Sequence, residues 1–294
     1  MLVRRFLAVL FCGLSALGVG TASSDDSPLD KPEFEQKAVD AWYDLYLSAA
    51  KRYNIVADDD EDHPFQLVSE PLLTYADLES EAQQTGSMFL WTDEGRPKAL
   101  GVFWSATWGA TDRQCAHEFH SLTDKPLTAT IDGKVMWRPR EGGLDFRPVP
   151  DSPTVAPTRP LRTAQLSRMA DEFEAYHSRN SPEAKLRRVE KPIYRYPEKE
   201  GSDADGALFV FFFEEDPEVV LMFETAEGKA GLEWKYSPIR ITEAPARLTL
   251  SGEDVWKVPS ARFTRNFLND DVDPFHAFFF ERRDREMNKL PLGL

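Results

Sequence analysis

Five prolines fall within the thirteen residues from Pro148 to Pro160, in the run Pro-Val-Pro-Asp-Ser-Pro-Thr-Val-Ala-Pro-Thr-Arg-Pro. Proline lacks an amide donor and fixes φ, so this stretch sustains neither a helix nor a central strand. It predicts a stiff, extended connector between two halves of nearly equal length. The chain must therefore be built as two units joined there.

The two halves align on each other. Pro71 and Tyr75 fall on Pro192 and Tyr196. Gly86, Phe89, Glu94, Pro97 and Phe103 fall on Gly206, Phe209, Glu214, Pro217 and Phe223. Thr123, Pro126, Thr130, Gly133 and Trp137 fall on Thr242, Pro245, Thr249, Gly252 and Trp256. The matched Gly and Pro residues sit at turn signals and the matched aromatics inside apolar runs, which predicts an internal duplication.

Each half opens on helical spacing. Phe34, Ala38, Ala41, Trp42, Leu45 and Ala49 form one stripe, with Asp30 and Pro32 as start signals. Leu166, Met169, Ala170, Phe173 and Tyr176 form the other, with Thr163 as its cap. Hairpin patterns follow. Met88 to Thr92 and Ala99 to Ser105 flank Asp93-Glu94-Gly95-Arg96-Pro97, and Leu208 to Phe213 and Val219 to Glu224 flank Glu215-Asp216-Pro217. Thr128 to Ile131 meets Lys134 to Trp137 at Asp132-Gly133, and Leu248 to Leu250 meets Val255 to Lys257 at Ser251-Gly252. Ala207 to Phe213 is apolar throughout, the pattern of a strand covered on both faces. Phe275 to Glu281 reads as one more strand, whose Phe278-Phe279-Phe280 needs cover. Tyr53 to His63 reads as a loop because of its Asp58-Asp59-Asp60-Glu61-Asp62 run.

The predicted fold class is therefore α+β: two tandem copies of a helix followed by an antiparallel β-meander, related by a pseudo-two-fold axis. The boundaries are 1–22 for a signal peptide, 23–147 for the first repeat, 148–160 for the connector and 161–294 for the second repeat with an extra C-terminal strand. Residues 23–30 are expected to be disordered.

The signal peptide follows from Arg4 and Arg5, the apolar run Phe6 to Val19, and the small residues Gly20-Thr21-Ala22. The apolar run is shorter than the roughly 20 residues a spanning helix needs, so no stable transmembrane anchor is expected after cleavage. Cleavage would also remove Cys12 and leave Cys115, so the exported chain is expected to rely on its core rather than on an internal disulfide. The composition, 41% apolar and 29% charged, is that of a globular chain. With 35 basic against 50 acidic residues and a net charge of −15, its surface repels phosphate backbones, so no nucleic-acid partner is expected.

The densest polar cluster is Cys115-Ala116-His117-Glu118-Phe119-His120-Ser121. It is not a zinc-protease motif, which needs two residues between the Glu and the second His on a helix. On a strand, Cys115, His117 and Phe119 share one face, and Glu118 and His120 the other. That leaves Glu118 and His120 as the candidate acid–base pair, with His117 orienting or binding. The competing reading makes them hydrogen-bonded, half-exposed strand residues. Asp58 to Asp62 lacks the glycine and downstream glutamate of an EF-hand, and Asn269-Asp270-Asp271-Val272-Asp273 is equally at home in a turn, so no metal is expected. Trp91, Trp104, Trp108, Trp137, Trp234 and Trp256 have strand periodicity and read as core. The chain has no nucleophile elbow, phosphate loop, dinucleotide glycine fingerprint or Cys-x-x-Cys pair, and no cofactor is expected.

Three stretches look familiar together: His117-Glu-Phe-His-Ser-Leu122, Pro192-Ile-Tyr-Arg-Tyr196, and Asp205-Gly-Ala-Leu-Phe209 followed by Asp216-Pro-Glu-Val219. With the export signal they resemble a family of exported proteins from planctomycete bacteria that has no assigned activity. The resemblance covers most of the mature chain and implies export and a cell-envelope setting. It implies no catalytic residue.

The expectation is an exported, non-enzymatic protein of the periplasm or cell envelope that binds or scaffolds a protein or small-molecule ligand. One alternative is a hydrolase-like enzyme using Glu118 and His120. Another is an interaction subunit of an envelope complex, with the C-terminal phenylalanine strand as its interface.

Overall fold

The computed structural model describes residues 33–77, 83–107, 112–178, 183–199, 204–228, 231–261, 263–264 and 273–284. The expected signal peptide, residues 23–30 and Trp108 lie outside them, as does most of the Asn269 to Asp273 run. In chain order the first half holds α1 (Glu33–Lys51), β1 (Tyr53–Ala57), β2 (Gln66–Leu67), β3 (Leu73–Asp77), β4 (Gln84–Asp93) and β5 (Arg96–Thr107). It continues with β6 (Asp112–Ser121), β7 (Leu127–Ile131), β8 (Lys134–Trp137) and β9 (Arg147–Pro148). The second half holds α2 (Arg159–Asp171), β10 (Phe173–His177), β11 (Ala184–Lys185), β12 (Arg187–Arg188), β13 (Tyr194–Arg195) and β14 (Gly206–Phe213). It ends with β15 (Asp216–Gly228), β16 (Gly231–Arg240), β17 (Ala246–Leu250), β18 (Glu253–Val258), β19 (Phe263–Thr264) and β20 (Phe275–Asp284).

The strands form four sheets. One has the order β19-β20-β6-β5-β4-β2, with β3 also on β4. The next has β12-β14-β15-β16-β9, with β13 on β14. The smaller two are β1-β7-β8 and β11-β10-β17-β18. Pairs are antiparallel except β19–β20. Three hairpins close on two-residue turns with positive φ at both residues. Glu94-Gly95 has φ of 48° and 83°, Asp132-Gly133 has 51° and 76°, and Ser251-Gly252 has 49° and 87°. Positive φ at both central residues matches the strand twist, and glycine takes it without strain.

The two large sheets pack face to face, and each is covered on its outer face. Met88, Leu90, Leu100, Val102, Trp104 and Ala116 of the larger sheet meet Leu208, Val210, Val220, Met222 and Ile239 of the other. On its outer face the larger sheet presents Phe89, Trp91, Phe103, Phe119 and Phe278 to Trp42 and Tyr46 of α1 and to Ile55, Leu127 and Trp137 of the three-stranded sheet. The second large sheet presents Phe209, Phe211, Leu221, Phe223 and Trp234 to Leu166, Met169 and Ala170 of α2 and to Phe173, Ala175 and Leu248. Both faces of each large sheet are covered, so its strands carry apolar residues at consecutive positions rather than alternate ones.

The α+β expectation of two tandem helix-plus-meander copies is overturned. Strand makes up 54% of the described residues, and among them there are only two helices, of 19 and 13 residues. The strands belong to four sheets rather than two meanders. Strand pairing also crosses between the halves: β20 pairs with β6, and β9 with β16. Two local features account for the difference. Tyr53 to Ala57 is β1, not loop, because Tyr53 and Ile55 alternate inward ahead of the acidic run. Phe173 and Tyr176 lie on β10, not on the second helix, so that helix is shorter than its stripe implied. Its cap also moves. Thr158 is the N-cap, Pro160 sits in the first turn where its missing amide costs nothing, and Thr163 bonds back to the Arg159 carbonyl at 3.0 Å.

Candidate functional site

β6 divides its side chains as the strand reading requires. Cys115, His117 and Phe119 face the α1 side, and Glu118 and His120 face the layer between the large sheets. All three candidate residues are buried, not half-exposed. Glu118 Oε1 accepts from Trp104 Nε1 at 2.8 Å. His120 Nδ1 donates to the Ser121 carbonyl at 2.9 Å, which fixes its tautomer. Gly143 covers that ring so closely that a Cβ built on it would lie 2.8 Å from His120 Cε1. His117 sits on the opposite face between Phe103 and Phe280, with ring centroids at 3.9 and 4.1 Å, and its Nδ1 is 2.7 Å from Tyr53 Oη.

Burial disfavours the imidazolium at both histidines. It pushes His120 down to about 4, where the Ser121 carbonyl opposes the shift and Arg240 adds to it. It pushes His117 down to about 3, with a smaller contribution from Arg52. Both rings are therefore neutral at pH 7. A general acid or base must reach substrate directly or through one water. The structure brings Glu118 and His120 to one sheet face, puts His117 on the other, and leaves all three away from the clefts described below.

The remaining sequence candidates are structural in their contacts. Asp58 accepts from Thr128 Oγ1 at 2.5 Å and pairs with Arg138, Asp59 pairs with Lys125 at 2.6 Å, and Asp60 with His63 at 2.6 Å. Among the described residues no three His, Cys, Asp or Glu side chains converge as a metal site. Trp91, Trp104, Trp137 and Trp234 are buried, and Trp256 packs on the α2 core. The tail phenylalanines are covered: Phe278 is in the α1 core, Phe279 packs on the middle layer, and Phe280 stacks on His117.

A cleft of about 360 Å³ opens where the halves meet, between the β4–β5 turn and the segment following β13. Arg96 reaches across it to Glu224 with Nε and Nη2 both at 2.9 Å, a bidentate pair. Tyr196 donates its hydroxyl to the same carboxylate at 2.7 Å. Lys199 pairs with Glu94 at 2.7 Å, and Tyr194 donates to the Gly95 carbonyl at 2.8 Å. Gly95, at φ +83°, lies so close to Pro197 that a Cβ would come within 2.2 Å of it. Burial opposes the Arg96 charge, but Glu224 outweighs burial and the guanidinium holds its proton more tightly than usual. Burial and the Glu224 charge together raise the Tyr196 phenol well above its ordinary range.

No protein family, curated protein or solved structure matches this chain. The functional reading therefore rests on the geometry of the site. Arg96, Glu224 and Lys199 were not singled out in the sequence, because partners 128 and 105 residues apart leave no local spacing signal. Tyr196 was visible as a matched position, and the β4–β5 turn was visible from Asp93-Glu94-Gly95.

Proposed function

We propose that this is an exported, non-enzymatic binding protein of the periplasm or cell envelope, and that a small polar ligand seats in the cleft between its halves. The observation that carries this reading is the cleft itself. Both halves build it, and two of its ion pairs, Arg96–Glu224 and Lys199–Glu94, cross from one half to the other. A ligand with groups of both signs exchanges one ion pair for another there without stranding a charge. The volume suits a metabolite-sized molecule, and junctions between units are common binding places. Export rests on Arg4-Arg5, the following apolar run and the small residues before position 23.

The hydrolase alternative is disfavoured because Glu118 and His120 are enclosed between sheets. The interaction-subunit alternative loses the surface that suggested it, since the tail phenylalanines are packed. Native mass spectrometry of the protein purified from its exporting host tests the reading. A bound small molecule that is lost on Arg96→Ala is the expected result. A ligand-free wild-type protein, or a hydrolytic activity abolished by Glu118→Gln in a folded variant, would overturn it.

A further inference from the structure

A second concavity, of about 500 Å³, lies between the proline-rich segment after β9, the C-terminal end of α2 and the β17–β18 turn. It shares no lining residue with the cleft between the halves. Its floor is apolar, made by Val149, Pro150, Pro153, Met169, Leu250 and Val255. Hydrogen bonds hold the walls in place. Val149 N donates to the Trp234 carbonyl at 3.0 Å, and Ser251 N to the Glu172 carbonyl at 2.9 Å. Arg147 Nη1 donates to the Val255 carbonyl. The groove is thus preformed.

The rim carries unmatched charge. Nearby on this half, Arg247 holds Glu183 and Asp254, Arg188 holds Asp171, and Lys185 holds Glu174. At the rim, Asp151 and Glu253 have no basic partner among the described residues, and Glu172 accepts from Ser251 Oγ at 3.2 Å. Arg168 is the one basic residue among the lining residues. Three carboxylates against one guanidinium favour a cation and repel an anion, and the net charge of −15 acts in the same direction.

We propose that this groove binds an amphipathic cation. A short apolar body lies on Met169, Leu250 and Val255, and an ammonium group sits at the rim against Asp151, Glu172 and Glu253. The apolar floor supplies affinity, and the rim supplies the choice of charge.

Three probes of matched chain length test this: hexyltrimethylammonium, hexanol and hexanoate, titrated into the full chain while the Met169 methyl resonance is followed by NMR. The ammonium probe is expected to shift Met169 and to bind tightest, and hexanoate weakest. Asp151→Asn and Glu253→Gln are each expected to weaken the ammonium probe about threefold, the scale of an exposed ion pair, and to leave hexanol unchanged. Both positions are exposed, and asparagine tolerates the φ of +50° at residue 151, so the variants fold. Equal binding of the three probes, preference for hexanoate, or no shift at Met169 would each overturn the proposal. The test does not depend on a ligand in the other cleft, so the two readings fail separately.

Discussion

Tyr196 lies against Gly206 so closely that a Cβ built on the glycine would come 2.6 Å from the ring carbon Cζ and 2.7 Å from the Phe223 carbonyl oxygen. Tyr75 approaches Gly86 in the same way, at 2.4 Å. Both tyrosines belong to the layer between the large sheets, and both glycines are strand residues with ordinary φ. Glycine is needed here for room rather than for backbone freedom. The contact leaves the Tyr196 hydroxyl at Glu224, so the packing of the middle layer fixes one wall of the cleft between the halves.

Gly206→Ala is therefore expected to destabilise by about 1–3 kcal/mol, the usual cost of overpacking. Gly86→Ala should cost less. Its added methyl meets side-chain atoms of Tyr75, which can shift, whereas at Gly206 the Phe223 backbone carbonyl is also in the way. Urea unfolding of both variants reads the difference, and the reverse order would sink the steric account.

Asp205 anchors the junction between α2 and the second large sheet. Its carboxylate is 1% exposed, takes Arg162 Nε at 2.6 Å and Arg195 Nη2 at 2.8 Å, and accepts the Gly206 amide at 2.8 Å. Removing one partner of a buried ion pair strands the others. Asp205→Asn is expected to cost about 3–5 kcal/mol, read as a large drop in thermal midpoint. Lys199→Ala, which removes an exposed pair, should stay within about 1 kcal/mol of wild type.

Tyr46 ties α1 to the outer face of the larger sheet through its hydroxyl. The oxygen lies 2.5 Å from Ser105 Oγ and 2.8 Å from Thr85 Oγ1, and Arg113 bonds the same two hydroxyls. Burial pushes this phenol up to about 12 against the pull of those hydrogen bonds, so it stays protonated across the working pH range. Tyr46→Phe keeps the ring on Trp42 and leaves Thr85 and Ser105 short of a partner. The expected cost is about 1–3 kcal/mol by chemical denaturation, and a neutral substitution would show that Arg113 alone satisfies them.

The elements with local signals were legible in the sequence. Asp132-Gly133 and Ser251-Gly252 close hairpins as their turn chemistry requires, and Cys115 to Ser121 is a strand with the anticipated division of faces. The fold class was not legible. Strand-to-sheet assignment depends on partners far apart in sequence: β1 pairs with β7 and β20 with β6, and nothing near Tyr53 or Phe275 encodes either choice. The acidic run after Ala57 masked β1, and helical spacing ran on through Phe173 because a strand also turns that residue inward. The polar types at Glu118 and His120 suggested chemistry. Their burial follows from a second sheet packing on that face, which one strand's sequence does not show. The clefts are not legible for the same reason, since each joins three separate stretches of chain.

Two of the buried histidines, His117 and His120, make stability depend on pH in a defined window. In the fold, burial holds His117 near 3 and His120 near 4, against an ordinary value of 6.5 in the unfolded chain. Above pH 6.5 both states carry these rings neutral, and the fold bears no penalty from them. Between 6.5 and about 4 the unfolded chain binds protons that the folded chain refuses, so stability falls as pH falls. Below about 3 this contribution stops changing. Each such proton tilts the unfolding free energy by about 1.4 kcal/mol per pH unit, so the pair approaches about 2.7 near pH 5. Urea unfolding at half-unit steps from pH 7 to 4.5 measures the slope. His120→Gln, whose amide can replace the bond to the Ser121 carbonyl, should remove about half of it whatever it does to stability at pH 7. A slope unchanged in that variant would mean that His120 is not held neutral by the layer between the sheets.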